Sequence, residues 1–343
     1  MLRTETAASP DRLRAALAGL AAYQAADRGA KRRLGGVRHR RGRARLRNYG
    51  GAGPPVIFIP SLINPPFILD LTRRQSLLRW LAQQGHRTLL LDWGTPDAAA
   101  RDMDIADHVT QLLLPLIRRL AEPPILIGYC LGGTIAAAAA CLTPVAGLAM
   151  IAAPWQFDGF DTGARARIAE LWAAARPACK AMGFVPMEVL QTGFWQLDPA
   201  RTISKYEAFA AMPPGGDAAR TFVALEDWAN AGAPLTFAAG AEMFESLFAN
   251  NITGAGGWTI AGTAIDPGGL ACPTIDFVSM HDRIVPAASA IGFADRRELA
   301  AGHVGMIVGS GARAQLWQPL ADWISRTRAG REAPHHSARR SPP

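Results

Sequence analysis

The chain of 343 residues is long enough for one large α/β domain with an insertion or for two domains, and its 49% hydrophobic and 19% charged residues are typical of a globular protein. No apolar run approaches the roughly 18 residues of a membrane-spanning helix, and we expect no secretory signal. The cysteines at 130, 141, 179 and 272 form no CxxC pair and no metal-like spacing with histidines, so we predict a cytoplasmic protein without a metal or a cofactor.

The net charge of +8 is mostly local, because residues 31–47 contain nine lysines and arginines and no acidic residue. We interpret this segment as a solvated arm before the first strand, since no aromatic side chains interleave with the arginines as in single-strand nucleic-acid binders. Contact with an anionic membrane, a granule surface or nucleic acid is the alternative. The basic, proline-rich residues 328–343 are expected to be disordered.

In chain order, a helix over 9–28 precedes the arm, and from residue 55 short apolar strands alternate with longer helices. This alternation predicts an α/β fold with a mostly parallel, doubly wound sheet covered on both faces. Strands are predicted at 56–59, 87–91, 147–153, 274–279 and 296–299, and a further strand begins at residue 125. Helices are predicted at 67–84, 105–120, 131–140, 285–293 and 312–327.

The alternation stops between 155 and 270, where the sequence is rich in alanine, tryptophan, phenylalanine and methionine. Helical stretches at 162–175 and 221–230 indicate a helical lid inserted over the carboxyl edge of the sheet. The predicted units are an N-terminal helix with the basic arm at 1–50, a core at 51–154 and 271–327, the lid at 155–270 and a disordered basic tail at 328–343.

A glycine-flanked cysteine stands where an apolar strand becomes an alanine-rich helix, in the sequence ILIGYCLGGT at 125–134. Gly-x-Cys-x-Gly has the spacing of a nucleophile elbow, with the central residue in a strained turn. A Cβ at Gly128 or Gly132 would collide with the neighbouring strand or helix. The following helix N-terminus favours a thiolate, and the Leu131 amide is placed to donate to an oxyanion. Cys130 is therefore predicted to be the nucleophile.

A thiol nucleophile needs a base and a group that orients the base, and in doubly wound sheets with an elbow the acid precedes the histidine along the chain. Asp282 follows the strand at 274–279, and His303 follows the strand at 296–299. We predict that His303 takes the thiol proton and that Asp282 fixes the imidazole tautomer. Each residue alone has an ordinary structural explanation, but their order and spacing favour a triad.

Other histidine, aspartate and cysteine residues are weaker candidates for the triad. His281 adjoins Asp282, and sequence neighbours rarely face each other, whereas Asp276 lies within a strand and is interpreted as structural. Cys141 and Cys272 flank apolar segments and are interpreted as packing residues.

A second oxyanion donor is expected from the loop after the first core strand, at Ser61, Leu62 or Ile63, and we select the amides of Leu62 and Ile63.

A cysteine at this position favours transfer over hydrolysis. An acyl group on a thiol is again a thioester, so transfer from an acyl thioester is nearly isoenergetic and the acyl group stays activated. A lid that excludes water would favour transfer to another alcohol further.

These motifs resemble those of the polyhydroxyalkanoate synthases, in particular the short catalytic subunits of the two-component type, within the α/β-hydrolase superfamily. The resemblance runs from about residue 55 to 324, and NPPFILDL at 64–71 and GYCLGG at 128–133 are its most specific parts. Its other parts are DWG at 92–94, KY at 205–206, FANN at 248–251, DRIVP at 282–286 and GHVG at 302–305.

The resemblance implies an α/β-hydrolase fold and an acyltransferase that polymerises 3-hydroxyacyl-coenzyme A. It implies that Cys130 carries the growing chain, that His303 is the general base and that Asp282 supports it. It also implies a homodimer or a second synthase subunit, and a granule surface to which the soluble enzyme moves once polymer forms. No integral membrane association and no nucleic-acid partner are expected.

Two alternatives stay open. A cysteine hydrolase of thioesters, lactones or stored polyester would use the same residues with water as the acceptor. A non-catalytic protein associated with granules or nucleic acid would use the basic arm instead, although the complete Cys, Asp and His set argues against it.

Overall fold

The computed structural model describes residues 6–28, 33–197 and 199–332. A central eight-stranded sheet has the order β1-β2-β4-β3-β5-β6-β11-β12. From β4 to β12 the neighbouring strands are parallel, whereas β1 pairs with β2 and β2 with β4 in antiparallel register. The strands of this sheet are β1 (Gly36–Arg41), β2 (Ala44–Gly50), β3 (Ala52–Ile59), β4 (His86–Asp92), β5 (Ile125–Tyr129), β6 (Gly147–Ile151), β11 (Thr274–Ser279) and β12 (Arg296–Leu299); the two-residue strands β7 (Phe184–Val185), β8 (Leu235–Thr236), β9 (Thr259–Ile260) and β10 (Thr263–Ala264) lie outside it.

The sheet divides the hydrophobic core into two parts because both of its faces are covered. All five residues of β5 are buried, and Leu126 packs into one core while Ile125 and Ile127 pack into the other. The predicted α/β class is confirmed. The α-helices are α1 (Pro10–Ala25), α2 (Leu77–Gln83), α3 (Ile105–Asp107), α4 (Leu114–Ile117), α5 (Leu131–Leu142), α6 (Thr162–Met182), α7 (Met187–Leu197), α8 (Pro199–Ala210), α9 (Asp217–Asn230), α10 (Phe237–Ala241), α11 (Gly305–Val308) and α12 (Gln318–Glu332), with π-helical turns at His108–Leu113, Glu242–Ala249 and Arg313–Trp317.

The predicted extents of two helices are wrong. In place of the helix predicted at 67–84, the structure has a 3-10 turn at Pro66–Leu69 and the short helix α2. The buried Asp70 binds Arg79 through both carboxylate oxygens at 2.9 and 3.0 Å, and the chain turns between these two residues. The helix predicted at 285–293 is only a 3-10 turn at Ala287–Ser289. The Ser289 carbonyl accepts from the Trp155 amide at 2.7 Å and so is not available to continue a helix.

The basic arm is a β-hairpin in its described part, which corrects the prediction of a solvated segment. Ala44 and Leu46 are fully buried, while Arg45 and Arg47 alternate with them and both pair with Asp92. This period of two is the signal of a half-buried strand, and the high charge obscured it. Residues 31 and 32 of the arm lie outside the described residues.

The sequence predicts a disordered C-terminal tail from residue 328 onward. In the structure α12 continues to Glu332, and residues 333–343 lie outside the described part of the chain. Within that part, no helix combines the length and the apolar character needed to cross a membrane.

The N-terminal helix packs closely against the predicted lid. A Cβ on Gly19 of α1 would lie 1.9 Å from the backbone oxygen of Tyr206 in α8. Tyr23 of α1 also donates to Asp227 of α9 at 2.7 Å, and Arg12 pairs with Glu207 at 2.9 Å. The helix therefore holds two lid helices together.

This contact gives a test of packing. Alanine usually stabilises a helix by about 1 kcal/mol over glycine, but we expect Gly19→Ala to lower the free energy of unfolding by about 1 to 3 kcal/mol because the helices must separate. Gly330→Ala in α12 is the matched control, since a Cβ there meets no atom within 4 Å. Urea titrations would measure both variants, and equal effects would contradict the close contact.

Candidate active site

Cys130 lies in a strained turn between β5 and α5, with φ 55° and ψ −136°. A Cβ on Gly128 would lie 2.2 Å from the Gly133 Cα, and one on Gly132 would lie 2.1 Å from the Ile59 carbonyl oxygen. Only glycine allows the strand, the turn and the helix to approach this closely. The elbow geometry predicted from the glycine spacing is therefore present.

His303 and Asp282 meet beside the cysteine. The His303 Nδ1 lies 2.6 Å from the Asp282 Oδ2, and both residues are buried. The other carboxylate oxygen of Asp282 accepts from the amides of Ile284 and Val285 at 2.7 and 3.0 Å. Asp282 is thus fixed by the backbone, and it fixes the imidazole in turn. The sequence places the histidine and the acid on separate loops, and the structure brings both together with the thiol.

The tyrosine before the nucleophile also positions His303. The two rings stack with centroids 5.0 Å apart, and the Tyr129 hydroxyl donates to the His303 carbonyl at 3.2 Å. Sequence reasoning missed this role, although Tyr129 lies within the elbow motif. Its side chain is buried against His303, and the position of β12 in the sheet determines that these two residues are neighbours.

Burial lowers the pKa of His303, but the Asp282 carboxylate and a hydrogen-bonded Cys130 sulfur outweigh this effect and raise the pKa above its ordinary value. The imidazole therefore holds a proton strongly once it has received one. A histidine in contact with both a thiol and a carboxylate can act as a base toward that thiol.

A cavity of about 190 Å³ opens at Cys130 and His303 between the core strands and helices of the predicted lid at 155–270. Ile63, Pro65 and Ile68 contribute apolar surface from the core side. The lid contributes both aromatic and polar side chains. These are Gln191, Trp195, Thr202, Lys205, Trp228 and Asn230.

The backbone amides of Leu131, Leu62 and Ile63, which are predicted to form the oxyanion hole, have different surroundings in the structure. Leu131 is the first residue of α5, so its amide is among the helix amides that have no acceptor within the helix. The Ile63 amide donates to the Ser61 hydroxyl at 3.1 Å, which engages it and argues against that choice. Leu62 is half-buried, and the assignment of its amide to the oxyanion hole stays a prediction.

The competing candidates lie outside this cluster of contacts. The side chain of His281 is exposed, although it adjoins Asp282 in sequence. Cys141 and Cys272 are partly buried, and burial raises the pKa of both thiols, to about 11 for Cys141. Neither thiol contributes to the lining of the cavity at Cys130.

Asp276 in β11 provides a pH-dependent prediction. Its side chain is buried, and burial raises its pKa from 3.8 to about 6. The folded protein therefore binds this proton more tightly than the unfolded chain does. We expect the stability of the wild type relative to Asp276→Asn to fall by roughly 2 to 3 kcal/mol as the pH rises from about 4 to 7, because only the wild type must bury a new charge.

Free energies of unfolding at several pH values would measure this difference. The control is the pH dependence of the Asp276→Asn variant itself, in which position 276 cannot titrate. A difference between the proteins that does not change with pH would contradict the raised pKa.

Comparisons with known proteins agree with the fold. A family model described as "Alpha/beta hydrolase family" matches residues 50–316. A carboxylesterase structure from Nitrososphaera gargenis is 14% identical, covers 84% of this chain and 96% of its own, and has a TM-score of 0.51, which supports the fold alone.

The chain is also similar to curated poly(3-hydroxyalkanoate) polymerase subunits PhaC. The one from Haloferax mediterranei is 28% identical over 79% of this chain and 58% of its own length. The one from Allochromatium vinosum is 25% identical over 79% of this chain and 80% of its own length. The chain thus spans less than two thirds of the Haloferax relative. The predicted resemblance to polyhydroxyalkanoate synthases is confirmed at the level of sequence similarity.

Proposed function

The chain belongs to the alpha/beta hydrolase family, and from that premise we propose that it is an acyltransferase that polymerises 3-hydroxyacyl-coenzyme A through an acyl-Cys130 intermediate. The observation that carries the proposal is the contact of one buried histidine with both a carboxylate and an elbow cysteine. The similarity to poly(3-hydroxyalkanoate) polymerase subunits supports the choice of substrate and product.

In the first half-reaction, the Cys130 sulfur attacks the thioester carbonyl while His303 accepts the thiol proton. The amides of Leu131 and Leu62 are proposed to stabilise the oxyanion. When the carbonyl re-forms, the bond to the coenzyme A sulfur breaks, and His303 returns its proton to that sulfur. The products are free coenzyme A and a thioester on Cys130.

In the second half-reaction, the 3-hydroxyl of another hydroxyacyl unit attacks the acyl group on Cys130. His303 accepts the hydroxyl proton and returns it to the departing cysteine sulfur. An ester bond forms, the thioester bond breaks, and the chain grows by one unit. Asp282 orients the imidazole and stabilises its charged form in both halves.

The apolar part of the cavity lining supports transfer over hydrolysis. Apolar side chains of the core and tryptophans of the lid line part of the cavity at the thiol, and apolar surface at this position disfavours water as the acceptor. Trp195 is 40% exposed at this lining, so the lid does not seal the cavity in this conformation. A polyester chain needs such an opening.

Incubation with 3-hydroxybutyryl-coenzyme A, followed by measurement of free coenzyme A and size analysis of the acyl product, tests the proposal. We expect coenzyme A release together with polyester. Release with free hydroxy acid alone would instead identify a cysteine hydrolase, and no release from the protein would contradict catalysis on this donor.

The assembly is part of the proposal. We propose that the chain acts as a homodimer or with a second synthase subunit at the surface of a polyester granule. The same assay, repeated with a candidate subunit and with short polyester primers, determines whether polymer formation depends on either addition.

A further inference from the structure

A cleft of about 430 Å³ lies apart from the cavity at Cys130, and four arginines line it. Arg73 and Arg74 follow the 3-10 turn at Pro66–Leu69, Arg79 belongs to α2, and Arg313 begins the π-helical turn before α12. The buried rings of Trp80 and Trp317 also line the cleft. None of these residues lines the cavity at the thiol.

Carboxylates neutralise only part of the positive charge of these four arginines. Arg79 pairs with the buried Asp70, and Arg74 pairs with the exposed Asp217 of the lid. Arg73 and Arg313 have no carboxylate partner among the residues that the structure describes. The Arg313 guanidinium instead lies over the Trp80 and Trp317 rings, 5.7 and 5.9 Å from their centroids.

Like charges held in one cleft repel each other, and an anion bound between them relieves this repulsion. A guanidinium presents a planar fork of donors that matches two phosphate oxygens at once. Stacking on tryptophan holds the Arg313 fork in a fixed direction, which reduces the entropy lost on binding. The volume exceeds that needed for a single small ion.

We propose that this cleft binds a ligand with adjacent phosphoryl groups, held by Arg73 and Arg313 and bordered by Arg74 and Arg79. The phosphoryl groups belong either to free diphosphate or a nucleotide, or to the diphosphate of coenzyme A. The cleft is a separate site in either case, and its occupation does not depend on the proposed reaction at Cys130.

Titration calorimetry with inorganic diphosphate tests the site directly. We expect saturable 1:1 binding that weakens as ionic strength rises. The double variant Arg73→Gln/Arg313→Gln should bind at least about tenfold more weakly, because two charge-assisted contacts are lost. Arg313→Lys keeps the charge but not the fork, so it should also bind more weakly than wild type.

Arg118→Gln is the control, because Arg118 is an exposed arginine at the end of α4 and does not line the cleft. Its affinity for diphosphate should equal that of wild type. Unfolding curves confirm that the variants are folded. Absence of saturable diphosphate binding by wild type, or equal affinity in the double variant, would overturn the proposal.

Competition distinguishes the two sources of the ligand. If coenzyme A displaces diphosphate from the wild type and loses affinity in the double variant, the cleft takes the coenzyme. If ATP displaces diphosphate and coenzyme A does not, the cleft takes a free nucleotide. Both results support the site, and both are measured by binding, so loss of activity at Cys130 does not affect them.

Discussion

Cys130→Ala is expected to reduce coenzyme A release from 3-hydroxybutyryl-coenzyme A by at least about 10⁴-fold. The methyl group cannot form the thioester, and no other cysteine lines the cavity at this position. Cys130→Ser should retain a trace of activity, because its hydroxyl is harder to deprotonate and forms an ester in place of a thioester.

Cys272→Ala is the matched control, since Cys272 is also a free, partly buried cysteine but lies away from the cavity. Its rate of coenzyme A release should remain nearly that of wild type, because its side chain does not line the cavity. Full activity in Cys130→Ala would contradict a nucleophilic role for the elbow thiol.

His303→Gln is expected to lower the turnover rate by roughly 10⁴ to 10⁶-fold, the range found when one member of a triad is removed. Glutamine cannot accept the thiol proton. His281→Gln provides a control one residue from Asp282, because the His281 side chain is exposed. It should leave the turnover rate nearly unchanged. A comparable loss in both variants would contradict the assignment of His303.

Asp282→Asn tests the positioning role separately. The Asp282 carboxylate raises the pKa of His303, so its removal lowers that pKa and weakens the support that a charged imidazole gives to a thiolate. Alkylation of Cys130 by iodoacetamide at neutral pH should therefore be slower in the variant, and the difference should diminish at alkaline pH, because free thiols in general are ionised there without a histidine partner. A merely structural role would not produce this dependence on pH.

The positions of Cys130, Asp282 and His303 follow from local patterns, and this explains why the sequence predicts them. Each lies on the loop or turn that follows a strand of the parallel part of the sheet, and the carboxyl ends of parallel strands meet at one edge of the sheet. This edge is the same whatever the order of the strands in the sheet. The catalytic roles of these residues remain a proposal that the experiments above address.

Other features depend on contacts between distant parts of the chain. The bidentate contact of Arg79 with Asp70 breaks a segment whose apolar periodicity predicts one long helix. Burial of only Ala44 and Leu46 turns an arginine-rich segment into a strand. The stacking of Tyr129 on His303 joins residues 174 positions apart. No local propensity contains this information, because tertiary contacts override it.

The most direct test of the account is the identification of the acylated residue after brief reaction with 3-hydroxybutyryl-coenzyme A. We predict that the peptide containing Cys130 gains the mass of one or more hydroxybutyryl units, that hydroxylamine removes them, and that His303→Gln greatly slows their appearance. Coenzyme A release by an enzyme that carries the acyl group on another residue, or on none, would contradict a covalent intermediate at Cys130.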